Sequence, residues 1–256
     1  MCGRFVSTQT PAQVGEYFDA IPTVESLGEN YNVAPTHDVY GVVAAPTGGG
    51  RSGSDGSSGA TVERRVEAFH WGLIPTWAKD RKIASRMINA RSETLAEKNA
   101  FKGLFAKKRL LVPMDGFYEW KAGHEGGPVN SKGKPLKQPM FIHRTDGEPL
   151  AVAGLWTAWK DPDPPAEADP SETGDAWLHS ATIITTAANA TMSAIHDRMP
   201  VVVPRSRWDE WLDPDNHDIE SLSSIFDVGD VSLTMHEVST DVNNVRNNDA
   251  HLVDAV

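Results

Sequence analysis

The only cysteine of this 256-residue chain is residue 2, directly after the initiator methionine. Removal of Met1, which a small second residue permits, would leave Cys2 with a free α-amine and a thiol on one residue. The ordinary pKa values of these groups, near ~8 and ~8.5, make both partly reactive at neutral pH. Such a 1,2-aminothiol condenses with an aldehyde to an imine, and its thiolate then closes a stable five-membered thiazolidine ring.

The same terminus is compatible with two other roles. An N-terminal cysteine can be the nucleophile of a hydrolase, with its own amine as the base. A lone cysteine can also be an incidental residue in a disordered terminus. Gly3, Arg4 and Phe5 favour an ordered, working terminus, because they combine a small residue, a cation able to bind phosphate and an aromatic ring.

Two further residues could transfer protons. Glu119 is flanked by Tyr118 and Trp120 on a predicted strand, where partial desolvation would suit a general acid or base. An outward-facing position on an alternating strand is the other interpretation. His196 follows a short helical stretch and precedes Asp197, which fits either an acid–base group or a structural histidine.

Asn89 and Arg91 are two positions apart and would point to the same side of an extended segment. An amide beside a guanidinium suits oriented hydrogen bonding to an oxygen-rich ligand. A turn and a surface charge would account for the same pair.

The charge of the chain is unevenly distributed. There are 24 Lys and Arg residues against 35 Asp and Glu, a net charge of −11, yet residues 77–144 carry 15 basic and 6 acidic groups. A basic block in an acidic chain is expected if one face contacts nucleic-acid phosphates, and a solvated basic face without a partner would look the same. Aromatic residues near the block could stack single-stranded bases, although core packing is their default role.

Several classes of protein are excluded or disfavoured. One cysteine cannot form an internal disulfide or a multi-thiolate metal site, and we expect no metal or cofactor. No apolar run approaches the ~18–20 residues of a membrane span, and the N-terminus lacks a secretory signal. Phosphate-binding Walker loops and dinucleotide glycine fingerprints are absent from the sequence. The chain is therefore predicted to be a soluble cytoplasmic protein, and we expect a monomer.

Short strands and a few helices must position these residues. Helices are predicted at 10–18, 93–108, 190–195, 206–212 and 219–226, with capping-box spacing between Thr94 and Glu97. Many short strands with scattered helices predict an α+β fold, in which a curved, mainly antiparallel sheet or barrel-like core carries peripheral helices. Strands are predicted at 39–45, 62–71, 109–114, 117–120, 140–143, 150–156, 178–186, 200–203 and 231–238.

Composition divides the chain into one domain with two insertions. Residues 46–61 are rich in Gly and Ser, and residues 161–176 are acidic and rich in Pro, so both are predicted to be flexible loops. We expect a single domain over residues 1–240, followed by an acidic C-terminal tail at 241–256.

Taken together, these segments resemble the SRAP (SOS response-associated peptidase) family. Seven motifs occur in the family's order, and both insertions fall outside them. The matching segments are MCGRF (1–5), YNVAP (31–35), WGLIP (71–75), INARSET (88–94), DGFYEW (115–120), TTAA (185–188) and IHDRMP (195–200).

The resemblance implies a sensor of abasic sites in single-stranded DNA that forms a covalent DNA–protein crosslink. The ring-opened form of such a site exposes an aldehyde, the group that a 1,2-aminothiol captures. The family name also records a proposed thiol autopeptidase activity, in which the same cysteine would remove Met1. The implied catalytic residues are Cys2 as nucleophile, Asn89 orienting the amine and sugar oxygens, Glu119 shuttling protons and His196 as a second acid or base.

DNA-binding residues follow from the same match. Arg4 and Arg91 would bind phosphates beside the lesion, while Pro35, Trp71 and Thr186 would line the DNA groove. Two alternatives remain open: a Cys2-dependent thiol peptidase, and a non-covalent reader of single-stranded or modified DNA. A purely structural protein would leave the occurrence of all these motifs in one chain unexplained.

Overall fold

The computed structural model describes residues 2–46, 62–123, 126–129, 131–162, 177–227 and 231–256. The predicted insertions at 46–61 and 161–176 fall outside these residues except at their ends. Within the described ranges, no helix is long and apolar enough to cross a bilayer.

The described part of the chain contains thirteen strands and four α-helices, joined by short 3-10 turns and loops. The helices are α1 (Pro11–Phe18), α2 (Lys102–Lys107), α3 (Trp208–Leu212) and α4 (Ile219–Ser224). The strands are β1 (Phe5–Ser7), β2 (Ile21–Pro22), β3 (Asn30–Val33), β4 (Asp38–Pro46), β5 (Val62–Trp71), β6 (Asn89–Arg91), β7 (Arg109–Met114), β8 (Gly116–Lys121), β9 (Gln138–Arg144), β10 (Leu150–Lys160), β11 (Trp177–Ala187), β12 (Arg198–Pro200) and β13 (Leu233–Glu237).

The strands form two sheets, most of whose pairings are antiparallel. The smaller sheet has the order β13-β9-β8-β1-β3, and the larger has the order β12-β11-β10-β7-β4-β5-β2, with β6 added beside β11. Parallel pairing of β11 with β5, at Ser180↔His70 and Ala181↔Trp71, closes strands β4, β5, β7, β10 and β11 into a ring. The predicted single-domain α+β fold with a barrel-like core is therefore confirmed.

Side chains alternate between two cores along the ring strands, as the period of a β-strand requires. On β7, Leu110 and Val112 face an inner core shared with Phe5 and Phe117 of the smaller sheet. Leu111, between them, faces an outer core covered by the short helices. The inner core is the one that contains Cys2.

The predicted acidic tail at 241–256 is a packed segment. Val242 and Leu252 are fully buried against Tyr118 and Phe141 on the outer face of the smaller sheet. Short 3-10 turns at Thr240–Asn243 and Ala250–Val253 shape this C-terminal segment. The division predicted at residue 240 therefore does not coincide with an edge of the packed structure.

The helix predicted at 93–108 is wrong over most of its length. Within this range the structure has the end of a 3-10 turn at Ser92–Thr94 and the short α-helix α2 (Lys102–Lys107). Residues 96–99 are exposed, so they bury no apolar face, and a short helix without tertiary packing is marginal. The capping box occurs at α1 instead, between Thr10 and Gln13.

Candidate active site around Cys2

Cys2 is fully buried at the edge of the inner core. Strand β1 runs antiparallel to β8 with Phe5 opposite Phe117, and the backbone N–H of Tyr118 donates to the carbonyl of Arg4 at 3.0 Å. Continued by two residues, this register places Gly3 opposite Glu119. The short N-terminal strand thus brings Cys2 beside the carboxyl-terminal half of β8.

Glu119 faces the inner core and is only 3% exposed. Its neighbours Tyr118 and Trp120 lie on the opposite face of β8, where they pack against the C-terminal segment. The Trp120 indole N–H donates to Asn243 Oδ1 at 2.7 Å, which fixes that orientation. The structure therefore places the Glu119 carboxylate on the side of Cys2 and not toward solvent.

The Cys2 thiol is held in its protonated form. Burial, and secondarily the negative charge of Glu119, raise the pKa of the thiol well above its usual range. A buried neutral thiol is a poor nucleophile, because the thiolate is the reactive species. Reaction at this sulfur therefore requires a nearby base, and Glu119 is close enough for its charge to act on Cys2.

Asn89 holds the backbone of Cys2. It is the first residue of β6, which pairs with β11 through Asn89↔Ile183, and its Nδ2 donates to the Cys2 carbonyl at 2.7 Å. Its buried Oδ1 has no hydrogen-bond partner among the described residues. An unsatisfied buried acceptor is costly, so this oxygen is suited to receive a hydrogen bond from a reacting group.

Trp71 supports this corner of the site from within the core. The ring is 1% exposed and packs edge-on to Phe5 with centroids 5.1 Å apart. Its indole N–H donates to the carbonyl of Ile88, the residue before Asn89, at 3.1 Å. In this structure Trp71 thus holds the site residues in place and presents almost no surface to a ligand.

Pro35 lies in a turn tied to Trp71. The next residue, Thr36, has a φ of 74°, which is unfavourable for a residue with a branched side chain. The Thr36 N–H donates to the Trp71 carbonyl at 2.8 Å. The partly exposed Pro35 is thereby fixed relative to the inner core.

Arg4 is a half-buried cation without an acidic partner among the described residues. Its Nη1 donates to Asn32 Oδ1 at 2.7 Å and to the Val242 carbonyl at 2.8 Å. Burial lowers the pKa of Arg4, but a guanidinium stays charged at any physiological pH. Such a cation is suited to an anionic ligand.

Arg91 and Thr186 lie at the neighbouring ends of the paired strands β6 and β11. Arg91 is exposed and is paired in register with Thr185, so it shares a face with Asn89. Thr186 is paired with Met199 of β12, and the two residues line a cavity of about 170 Å³. Met199 also packs against the inner core, so Thr186 as well as Arg91 lies beside strands that border this core.

His196 lies in the connection between β11 and β12. Its Nδ1 is 2.8 Å from Asp197 Oδ1 and accepts from the Arg198 N–H at 3.0 Å. Arg198 in turn donates to the carbonyl of Thr185 at 2.6 Å. This chain of contacts connects His196 to the strand position beside Arg91, whereas Asn89 is hydrogen-bonded to Cys2 and Glu119 acts on its thiol through its charge.

Asn32 is a buried residue of the site that the sequence analysis did not single out. It is 1% exposed and contacts Arg4 as well as the C-terminal segment. No local pattern indicates this role, because its partners are 28 and 210 residues away along the chain. Among the described residues, no cluster of three or more His, Cys, Asp or Glu side chains could hold a metal ion.

A buried cysteine at position 2, held by an amide and faced by a carboxylate on a barrel-like sheet, defines a thiol-centred site of an α+β protein. The chain belongs to the SOS response associated peptidase (SRAP) family, whose model matches residues 1–245. It is 36% identical over the full length of both chains to the abasic site processing protein YoqW of Bacillus subtilis. It is 31% identical, again over both full chains, to the abasic site processing protein YedK of Escherichia coli.

A solved structure confirms the fold. The crystal structure of a protein from Bacteroides thetaiotaomicron superposes with a TM-score of 0.75 over the full length of both chains, at 24% identity.

Proposed function

We propose that this protein captures abasic sites in single-stranded DNA by forming a covalent crosslink through Cys2. The observation that carries the proposal is the fully buried Cys2 held by Asn89 and faced by Glu119. An aminothiol on a fixed backbone suits capture of the aldehyde of a ring-opened abasic site. Relatives named abasic site processing proteins that match along the whole chain, YoqW and YedK among them, support the same substrate.

The proposed reaction needs only the protein, the abasic aldehyde and water. Hydrolysis of the Met1–Cys2 bond, the proposed autopeptidase step, consumes one water and frees the amine. The amine adds to the aldehyde carbon, and loss of one water gives the imine. The sulfur then adds to the imine carbon, and the thiol proton passes to the nitrogen, so that the thiazolidine forms without an oxidant or reductant.

Each residue near Cys2 has a defined task in this scheme. Because its pKa is raised, the Cys2 thiol retains its proton until Glu119 accepts it. Glu119 then donates a proton to the water that leaves during imine formation. Asn89 keeps the Cys2 backbone in place, and its Oδ1 receives a hydrogen bond from the amine or a sugar hydroxyl. The supporting roles are proton transfer near the sugar or phosphate by His196 and phosphate binding by Arg4 and Arg91. Pro35 and Thr186 would line the DNA groove, and the buried Trp71 would hold the wall of this groove in place from within the core.

We propose that the protein acts in this way as a monomer in the cytoplasm, where a stable adduct would shield the lesion. The basic block of residues 77–144 would supply the first, non-covalent attraction to the DNA backbone. The covalent bond then retains the lesion independently of this attraction.

The test compares two unrelated changes at the terminus. Cys2→Ala removes the thiol and leaves at most a reversible imine, which borohydride would trap. A residue retained before Cys2 blocks the amine and spares the thiol. The unmodified protein should give a stable band shift with abasic single-stranded DNA on a denaturing gel, and both changes should abolish it. Intact DNA should give no shift with the unmodified protein or with either variant.

The alternatives predict other outcomes. A peptidase that uses only the thiol would tolerate the N-terminal extension, and a non-covalent reader would give no shift with the unmodified protein either. Mass spectrometry should find Met1 absent and the adduct on residue 2. An adduct on a lysine of the basic block, with Cys2 unmodified, would overturn the mechanism.

A further inference from the structure

The binding of the Arg4 guanidinium is one-sided. Both contacts to Asn32 and Val242 use Nη1, and the described residues supply no acceptor for Nε or Nη2. These two nitrogens form the edge of a guanidinium that binds an oxyanion through two parallel hydrogen bonds. The protein thus occupies one side of Arg4 and leaves the bidentate side open.

Asn32 is the residue that fixes this arrangement. Its Oδ1 accepts from Arg4, while its Nδ2 lies 3.0–3.2 Å from the carbonyl oxygens of Val242, Asn244 and Asn247. The side chain is buried between β3 and the C-terminal segment, so it cannot rotate without breaking these contacts. One amide therefore joins Arg4 to a turn more than 200 residues later.

We propose that Asn32 is a positioning residue, which holds Arg4 Nη1 against the C-terminal segment so that the Nε–Nη2 edge binds a DNA phosphate beside the lesion. The inference rests on the proposed function, because it assumes that Arg4 contacts DNA. Asn32 would favour DNA binding by orienting Arg4 beforehand, because a fixed guanidinium loses less conformational entropy on binding than a free one.

A double-mutant cycle tests this coupling. Non-covalent affinity for an intact single-stranded oligonucleotide is measured for the unmodified protein, Arg4→Ala, Asn32→Ala and the double variant. We expect each single variant to lose about tenfold in affinity, as for one charge-assisted hydrogen-bonded contact, and the double variant to lose no more than Arg4→Ala. Equal losses from Asn32→Ala in both backgrounds would show that Asn32 does not act through Arg4, and would overturn the inference.

Two further variants separate positioning from folding. Asn32→Asp keeps the shape of the side chain and its contact with Arg4, but it neutralises Arg4 and replaces the Nδ2 donor to the three carbonyls by a carboxylate oxygen. It should therefore also weaken binding, and the comparison uses the variant only where its urea unfolding shows a folded protein. Unchanged affinity in this variant would contradict the inference even if Asn32→Ala fails to fold. Asn248→Ala is the matched control, because Asn248 ties the same C-terminal segment to Tyr31 and Glu29 without contacting Arg4, and its affinity should stay within twofold.

Failure of the proposed function gives a different pattern. If the unmodified protein forms no adduct with abasic DNA, the crosslinking proposal fails whatever the cycle shows. If it reacts at Cys2 while the cycle is additive, only the role of Asn32 is overturned.

Discussion

At the scale of single residues, Glu119→Gln separates proton transfer from structure. The amide keeps the shape of the side chain in its buried position but cannot accept a proton. We expect the rate of crosslinking at saturating DNA to fall by ~10²–10⁴-fold, with non-covalent affinity nearly unchanged. Equal losses in rate and affinity would assign Glu119 a structural role.

His196→Ala should have a smaller effect on crosslink formation, because water can partly replace a second acid or base. The rate of crosslink reversal should change as well. It is followed by adding the preformed crosslink to an excess of a reagent that captures the released DNA aldehyde. Formation and reversal kinetics that both match the unmodified protein would remove His196 from the site.

The buried thiol makes stability depend on pH. In the unfolded chain Cys2 ionises near ~8.5, whereas burial and Glu119 raise its pKa in the folded state. Above pH 9 the unfolded state therefore binds fewer protons than the folded state, and the free energy of unfolding should fall by up to about 1.4 kcal/mol per pH unit. Urea unfolding between pH 8 and 10.5 should show this decline relative to Cys2→Ala, and parallel profiles would contradict it.

At the scale of elements, Arg109 fastens two helix ends to β7. Its guanidinium donates to the carbonyls of Phe105, Trp211, Asp213 and Asn216. Burial lowers its pKa to about 10, still far above neutrality, so the side chain remains charged. The charge is stabilised by the carbonyl ends of α2 and α3.

Replacement of this anchor should be costly. Arg109→Met leaves several carbonyls without a partner, and we expect the free energy of unfolding to fall by about 3 kcal/mol or more. Arg246→Met, at an exposed site, should change it by less than about 0.5 kcal/mol. Urea titrations of both variants check the prediction, and a loss at Arg109 similar to that at Arg246 would contradict it.

Local patterns predicted the elements well where one period dominates. Strands β5 and β7 have the bounds predicted from their β-branched and apolar residues, and α1 begins one residue after the predicted start of the helix at 10–18. Closure of the ring could not be predicted, because it rests on two residue pairs of β5 and β11 that are 110 residues apart. The same limit applies to the site, where Glu119 was identified by its aromatic neighbours but its inward orientation depends on the packing of Trp120 and the distant Asn243.

At the scale of the whole molecule, the structure reduces the number of residues in the basic block that are available to contact DNA. Arg109 is buried, Arg81 is paired with Asp161, and Arg144 is paired with Asp146. Arg91, in contrast, is exposed and shares a sheet face with Asn89. Within this segment, only part of the 15 basic residues should therefore contribute phosphate contacts.

Salt dependence tests this division. Non-covalent binding to single-stranded DNA should weaken log-linearly with salt, with a slope of about 0.7 per phosphate contact. Arg91→Ala should reduce the slope by about 0.7, whereas Arg144→Ala, which removes a paired cation, should leave it unchanged. A flat salt response of the unmodified protein, or equal effects of the two variants, would contradict the assignment.

The packing of Arg4 against Val242 has a consequence for how the protein matures during translation. The N-terminus leaves the ribosome first, but the residues that surround it are synthesised later. Asn89 comes first, then Glu119, then β11 and finally the C-terminal segment. Contacts so distant in sequence form late in folding. A nascent chain therefore leaves Cys2 unshielded, and only a released, fully folded molecule buries this residue within the inner core.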